Sequence, residues 1–210
     1  MKKLITAMAI VACSHLAWAG GMESLENFVK TAKSGRADFS QVVTSPGKDG
    51  QAPRNKTSTG TFEFSRPNRF RFNYKKPFEQ TIVADGQTLW LYDVDLNQVT
   101  TRKQSQVLGS TPAALIASSP DLNALKKDFA LEAVADRDGM QWVQATPKVR
   151  DGQLHSVKIG FRGNDLAALD ILDSFGQRSV ISFNRLEVNA GVSADAFQFK
   201  PPQGVDVVRQ

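Results

Sequence analysis

The stretch SRPNRFRFNY, residues 65–74, decides how the rest of the chain is read. Arg69, Arg71 and Asn73 alternate with Phe70, Phe72 and Tyr74, so a β-strand here carries one basic face and one aromatic face. Interleaved arginines and rings can hold single-stranded nucleic acid, because bases stack on rings while cations follow phosphates. They can equally belong to a sheet that turns its rings toward an apolar interior and its arginines toward water. Parity extends the pattern: Phe62, Phe64, Arg66, Phe70, Phe72 and Tyr74 are all even-numbered. If the chain stays extended through Pro67, Arg66 points to the same side as the rings. A bend at Pro67-Asn68 would break that inference, and a surface arginine is the ordinary alternative. An arginine in an apolar concavity needs acceptors. The last carbonyls of a helix suit it, being unpaired and carrying the negative end of the dipole.

The surroundings weigh against nucleic acid. MKK, a mostly apolar run from Leu4 to Leu16, and Ala17-Trp18-Ala19 have the layout of a cleaved secretory signal over residues 1–19. The mature chain would then begin at Gly20 and end at Gln210. Ile10-Val11-Ala12-Cys13 also resembles a lipobox, but the apolar run continues past Cys13 where a lipidated cysteine usually has a polar tether. With the signal removed, the single cysteine goes too, leaving no disulfide framework and no thiol chemistry. Losing Lys2 and Lys3 from 26 basic residues leaves 24 against 21 acidic ones, a net of +3. That is a weak basic footprint for a nucleic-acid binder.

MESLENFVKTAK, residues 22–33, predicts an amphipathic helix with Met22, Leu25, Phe28, Val29 and Ala32 on one stripe. A strand RADFSQVVT and a polar loop follow. Strands then come quickly from Thr57 to Arg102. Residues 105–128 break the pattern: Thr111 can cap a helix with Pro112 first, Pro120 ends it, and Asp121 can cap a second. Strands resume to the C-terminus, the last expected at AFQFKPP. Roughly ten antiparallel strands with helices before and within them predict a mainly β, α+β fold. A strongly bent antiparallel sheet, or half-barrel, with helices laid over its concave face fits one domain over 20–210.

Chemistry is sparse. One histidine remains, His155, read as a solvated strand residue, and no HExxH, GxSxG or glycine-rich phosphate loop occurs. Asp93 and Asp95 read as turn formers, and Asp170 and Asp173 as solvent-facing. No enzyme activity, metal or cofactor is expected. QTLWLYD is apolar on both faces, and PAALIA is apolar all round, so it is stable only between two apolar partners.

ADFSQ, RPNRF, DGQTLW, TPAALIA and FKPPQGV, in that order through the mature chain, resemble the LolA family of periplasmic outer-membrane lipoprotein carriers. The resemblance implies a periplasmic monomer whose bent sheet, an incomplete barrel, is closed by a helical lid (about residues 110–128) over a hydrophobic cavity. It would take acylated lipoproteins from an inner-membrane ABC exporter and hand them to an outer-membrane lipoprotein receptor, with no nucleic-acid partner. Arg66 matches the family arginine that bonds lid backbone carbonyls, and the matching positions are Ile116, Ala117 and Val29. Phe62, Phe64, Phe70, Phe72, Trp90 and Leu115 are expected to line the acyl-chain cavity. Arg69 and Arg71 depart from less basic residues, and residues 45–56 form a longer segment. The outward arginines serve either docking to an acidic patch or solubility. A membrane-anchored receptor of the same fold, if Cys13 is lipidated, and a periplasmic sensor or scaffold are the alternatives.

Overall fold

The computed structural model describes residues 20–47, 51–107, 116–117, 121–149 and 152–210. The expected signal, the cap at Thr111-Pro112, Pro120 and Leu115 lie outside these residues. Helix α1, Gly20–Thr31, opens the described chain. Strands β1 (Ser34–Ser45), β2 (Arg54–Ser65), β3 (Arg69–Lys76), β4 (Gln80–Asp85), β5 (Thr88–Asp93) and β6 (Gln98–Lys103) follow as a meander. Helix α2, Gln104–Val107, the helical pair Ile116-Ala117 and helix α3, Leu122–Asp128, interrupt it. Strands β7 (Phe129–Arg137), β8 (Met140–Pro147), β9 (Leu154–Arg162), β10 (Asp165–Asp173), β11 (Arg178–Val188) and β12 (Asp206–Arg209) complete the chain.

All twelve strands lie in one sheet, ordered β12-β6-β5-β4-β3-β2-β1-β11-β10-β9-β8-β7. The sheet is strongly curved and does not close, leaving β12 and β7 as edges. Two features differ from the sequence expectation. AFQFKPP is not a strand: Ser193 caps a 3₁₀ turn over Ala194–Phe197, and Pro201 and Pro202 have no N–H for a ladder. The last strand is instead β12, which pairs parallel with β6 through Asp206↔Gln98 to Arg209↔Thr101. A chain end that returns across the sheet after a long excursion has no local signature.

Alternation fixes the inner face. Phe62 opposes Phe72 and Phe64 opposes Phe70 across β2–β3, and Phe70 opposes Ala84 across β3–β4. The same face of β9 supplies Phe161, and Phe183 comes from β11. Helix α1 lays Leu25, Phe28 and Val29 onto it, and Ser24 Oγ donates to the Gly163 carbonyl at 2.8 Å, tying the helix to the β9–β10 turn. Asp121 is the N-cap of α3, its side chain accepting from the Ala124 amide at 2.8 Å. Leu125 carries that helix into the same core.

Asp170 is not solvent-facing. It is buried on β10, accepting from Arg178 Nε and Nη2 at 2.7 Å each and from Arg137 Nη2 at 3.1 Å. Burial pushes its pKa up. The hydrogen bonds and charges of Arg178 and Arg137 outweigh that and hold the carboxyl below its ordinary value. A depressed carboxyl contributes stability above the unfolded pKa of about 4 and loses it as pH falls through the lower folded value. Asp170→Asn is therefore expected to cost about 1–3 kcal/mol at neutral pH, with the gap to wild type closing below about pH 4 in denaturant titrations. A pH-independent gap would refute the ionic origin.

Candidate functional site

The concave face of the half-barrel is a trough of rings. Phe62 and Phe64 show no exposure, and Phe70 and Phe72 are buried beside them. The Phe62 and Phe72 centroids lie 4.5 Å apart, and Phe39 meets Phe72 and Tyr74 edge-on at 5.4 and 5.1 Å. Burial among these rings pushes the Tyr74 phenol up to about 12. The trough is occupied by Leu25, Phe28 and Val29 of α1 together with Ile116, Ala117 and Leu125. These pieces form a cover whose apolar side faces the rings.

Arg66 stands where cover and trough meet. The chain does not run extended through Pro67: β2 ends at Ser65, and residues 66–68 form the turn into β3. The parity argument nonetheless reaches the right side, because Arg66 continues β2 by one residue, its amide donating to the Lys33 carbonyl at 2.8 Å. Its guanidinium carbon lies 5.4 Å from the Phe28 centroid and 6.0 Å from that of Phe64. Nε donates to the Ile116 carbonyl at 2.9 Å, and Nη1 donates to the Val29 carbonyl. Val29 lies in the last turn of α1, where carbonyls are otherwise unpaired and the helix dipole favours a cation. Among the described residues Nη2 is buried with no hydrogen-bond partner. Desolvation lowers the guanidinium pKa to about 10. The arginine thus joins both parts of the cover while itself poorly solvated.

Two residues of this junction were not singled out from the sequence. The Asn68 amide donates to the Ala117 carbonyl at 2.9 Å, from a turn position with φ of 62°. Asparagine tolerates that left-handed conformation, which is the signal the RPN tripeptide carried. Gln104, buried at the start of α2, donates to the Asn68 carbonyl at 2.6 Å and accepts from the Gly86 amide at 2.9 Å. It ties the β2–β3 and β4–β5 turns to the base of the interrupting segment. A lone glutamine at a strand end gives no such hint.

Not every expected lining residue is in the trough. Trp90 is on the opposite face: it is the Cα partner of Val83, which in turn opposes Arg71, whereas Leu89 and Leu91 oppose the inward Ala84 and Ile82. Its indole donates to Asp85 Oδ2 at 2.9 Å, and its ring lies 5.5 Å from Phe199. Leu115 lies outside the described residues. Arg69 and Arg71 do face away from the trough, but the C-terminal segment covers them. Arg69 sits over the Phe197 ring at 5.7 Å, and Arg71 Nη1 reaches the Ala196 carbonyl at 3.4 Å. Among the described residues no group of three or more His, Cys, Asp or Glu side chains could hold a metal, and His155 is exposed on β9.

The family described as "Outer membrane lipoprotein carrier protein LolA" matches residues 30–200. An outer-membrane lipoprotein carrier protein of Albidiferax ferrireducens is 68% identical, covering 99% of this chain and 100% of its own. One from Leptothrix cholodnii is 55% identical, covering 92% and 88%. A solved LolA superfamily protein from Nitrosomonas europaea aligns with a TM-score of 0.49 at 11% identity, over 86% of this chain and 98% of its own. On the extent of the family match and the identity to these two relatives, the chain belongs to the LolA family of outer-membrane lipoprotein carrier proteins.

Proposed function

We propose that this chain is a periplasmic carrier of acylated lipoproteins. In this reading residues 1–19 are removed and 20–210 act as one monomeric, non-enzymatic domain. It receives cargo from an inner-membrane ABC exporter and yields it to an outer-membrane receptor. Acyl chains take the place now filled by the cover, against Phe62, Phe64, Phe70 and Phe72. The observation that carries the reading is Arg66, which bridges Val29 and Ile116 above a trough of rings. Family membership supports it.

Burying a CH₂ is worth about 0.8 kcal/mol, so one fully sheltered 16-carbon chain would gain on the order of 12 kcal/mol. Cargo with several chains held that well would never leave. A cover that competes for the same space weakens retention in proportion to the population of the closed state. The buried cation at this junction keeps that state from becoming too stable, since its desolvation offsets part of what its hydrogen bonds contribute.

The test is to incubate the 20–210 protein with energised spheroplasts and examine the soluble fraction by native mass spectrometry. A one-to-one complex with acylated lipoprotein is the expected product. Cargo left on the membrane, while a control carrier releases it, would refute the carrier role.

A further inference from the structure

One end of the half-barrel is plugged by α1, the Arg66 turn and the Ile116-Ala117 pair. The opposite rim is where β1, β3, β5, β8 and β10 end, as the registers Ser45↔Arg54, Asp93↔Gln98, Phe129↔Pro147 and Leu172↔Arg178 place these residues at one border. Its loops carry Phe78, Val94, Leu96, Val149 and Phe175, exposed at 56, 38, 68, 66 and 74%. Among the described residues the other large apolar side chains so exposed are Val42 on β1 and Val207 and Val208 on β12. Exposed apolar groups are ordinarily scattered singly, and here they are gathered at one border.

Two of the tips are held out by built turns. Asp93 Oδ1 accepts from the Leu96 amide at 3.0 Å, and Asp173 Oδ1 accepts from the Phe175 and Gln177 amides at 2.9 and 2.8 Å. Cations surround them. Lys75, Lys76, Lys126, Lys127 and Lys148 are exposed at the same rim, and none forms an ion pair with a carboxylate among the described residues. The Lys56 ammonium lies 4.7 Å over the Phe78 ring. Asp93 and Asp173 are spent on their turns, leaving Glu79, Asp95, Asp128 and Asp206 as the nearby acids among the described residues.

The tips come from four separate loops, β3–β4, β5–β6, β8–β9 and β10–β11, so a single peptide or helix would engage one or two of them. A flat surface engages all. Rings and aliphatics interspersed with lysines make up a shallow interfacial contact, and lysines are drawn to an anionic headgroup layer within a Debye length. The geometry points to this rim docking weakly and reversibly on an anionic phospholipid surface, headgroups against the lysines and loop tips at the acyl boundary. The contact requires no cargo, since the empty protein already presents it.

Cosedimentation of the cargo-free 20–210 protein with vesicles of phosphatidylethanolamine and phosphatidylglycerol tests this. The protein is expected in the pellet at low salt, and in the supernatant with phosphatidylcholine vesicles or at about 0.5 M salt. The double variant Leu96→Ser/Phe175→Ser should lower the bound fraction at least about fivefold, and Lys75→Gln/Lys76→Gln likewise. Both should keep the wild-type thermal midpoint, because the positions are exposed. Wild type left in the supernatant of anionic vesicles, or variants that pellet as wild type does, would overturn the proposal. So would variants that slow delivery to receptor-bearing membranes while lipid alone binds neither protein, since the rim would then meet a protein. None of these readings depends on cargo release from spheroplasts, so the carrier role stands or falls separately.

Discussion

Arg66→Leu is expected to lengthen the half-time of cargo delivery to acceptor membranes by roughly fivefold to thirtyfold. The substitution frees the Val29 and Ile116 carbonyls and removes the cation over Phe28 and Phe64, with no ring itself replaced. Hydrogen bonds to a charged group are each worth about 1.5–3 kcal/mol. The cost of holding a guanidinium whose pKa burial lowers to about 10, with Nη2 unpartnered among the described residues, offsets much of that. A net loss of about 1–2 kcal/mol from the closed state gives the stated factor. Because closure and cargo exclude each other, a less populated closed state raises apparent affinity by the same factor. Hydrogen exchange supplies an independent check: amides of residues 122–128 should lose protection in the empty variant. The overall thermal midpoint should fall by about 2–8 °C at most, the 1–2 kcal/mol lost from the closed state at about 2–4 °C per kcal/mol. Faster delivery from the variant than from wild type would sink the latch.

Phe62→Ala should lower the thermal midpoint by on the order of 10 °C. Phe62 has no exposure and touches three other rings, at 4.5 Å to Phe72, 5.3 Å to Phe183 and 5.8 Å to Phe64. A buried Phe→Ala change costs about 3–5 kcal/mol through lost transfer energy and the void left behind. In a domain of this size each kcal/mol moves the midpoint by about 2–4 °C. Neighbouring rings belong to β2, β3 and β11, so the void cannot be refilled by shifting one strand. A midpoint within about 2 °C of wild type would mean that the trough is not closed around this ring.

Much of the architecture was legible because alternation is a short-range signal. The inward set Phe62, Phe64, Phe70 and Phe72 follows from a period of two, and the α1 stripe from a period near 3.6. What stayed hidden depends on distant chain segments. Trp90 and Leu91 are equally apolar in sequence, and only the pairing of β5 with β4 decides that the leucine faces the trough. Arg69 and Arg71 read as solvated because nothing nearby announces that residues 194–199 return to cover them. Asp170 resembled any exposed acid, and its two arginine partners come from β11 and the end of β7. The cover junction was half legible. A single inward arginine among rings stands out by its chemistry, whereas Gln104 acquires a role only when two turns meet at its amide.

Among the described residues the line of twelve strands ends at two unpaired edges, β12 and β7. A closed barrel has its radius fixed by strand number and shear. A sheet without that closure obeys no such relation, and its bore follows the coiling of its strands and whatever lies inside. Tightening or relaxing that coil changes calibre without breaking an interstrand hydrogen bond. A ladder left open at its edges sets no fixed limit on the girth of what it encloses.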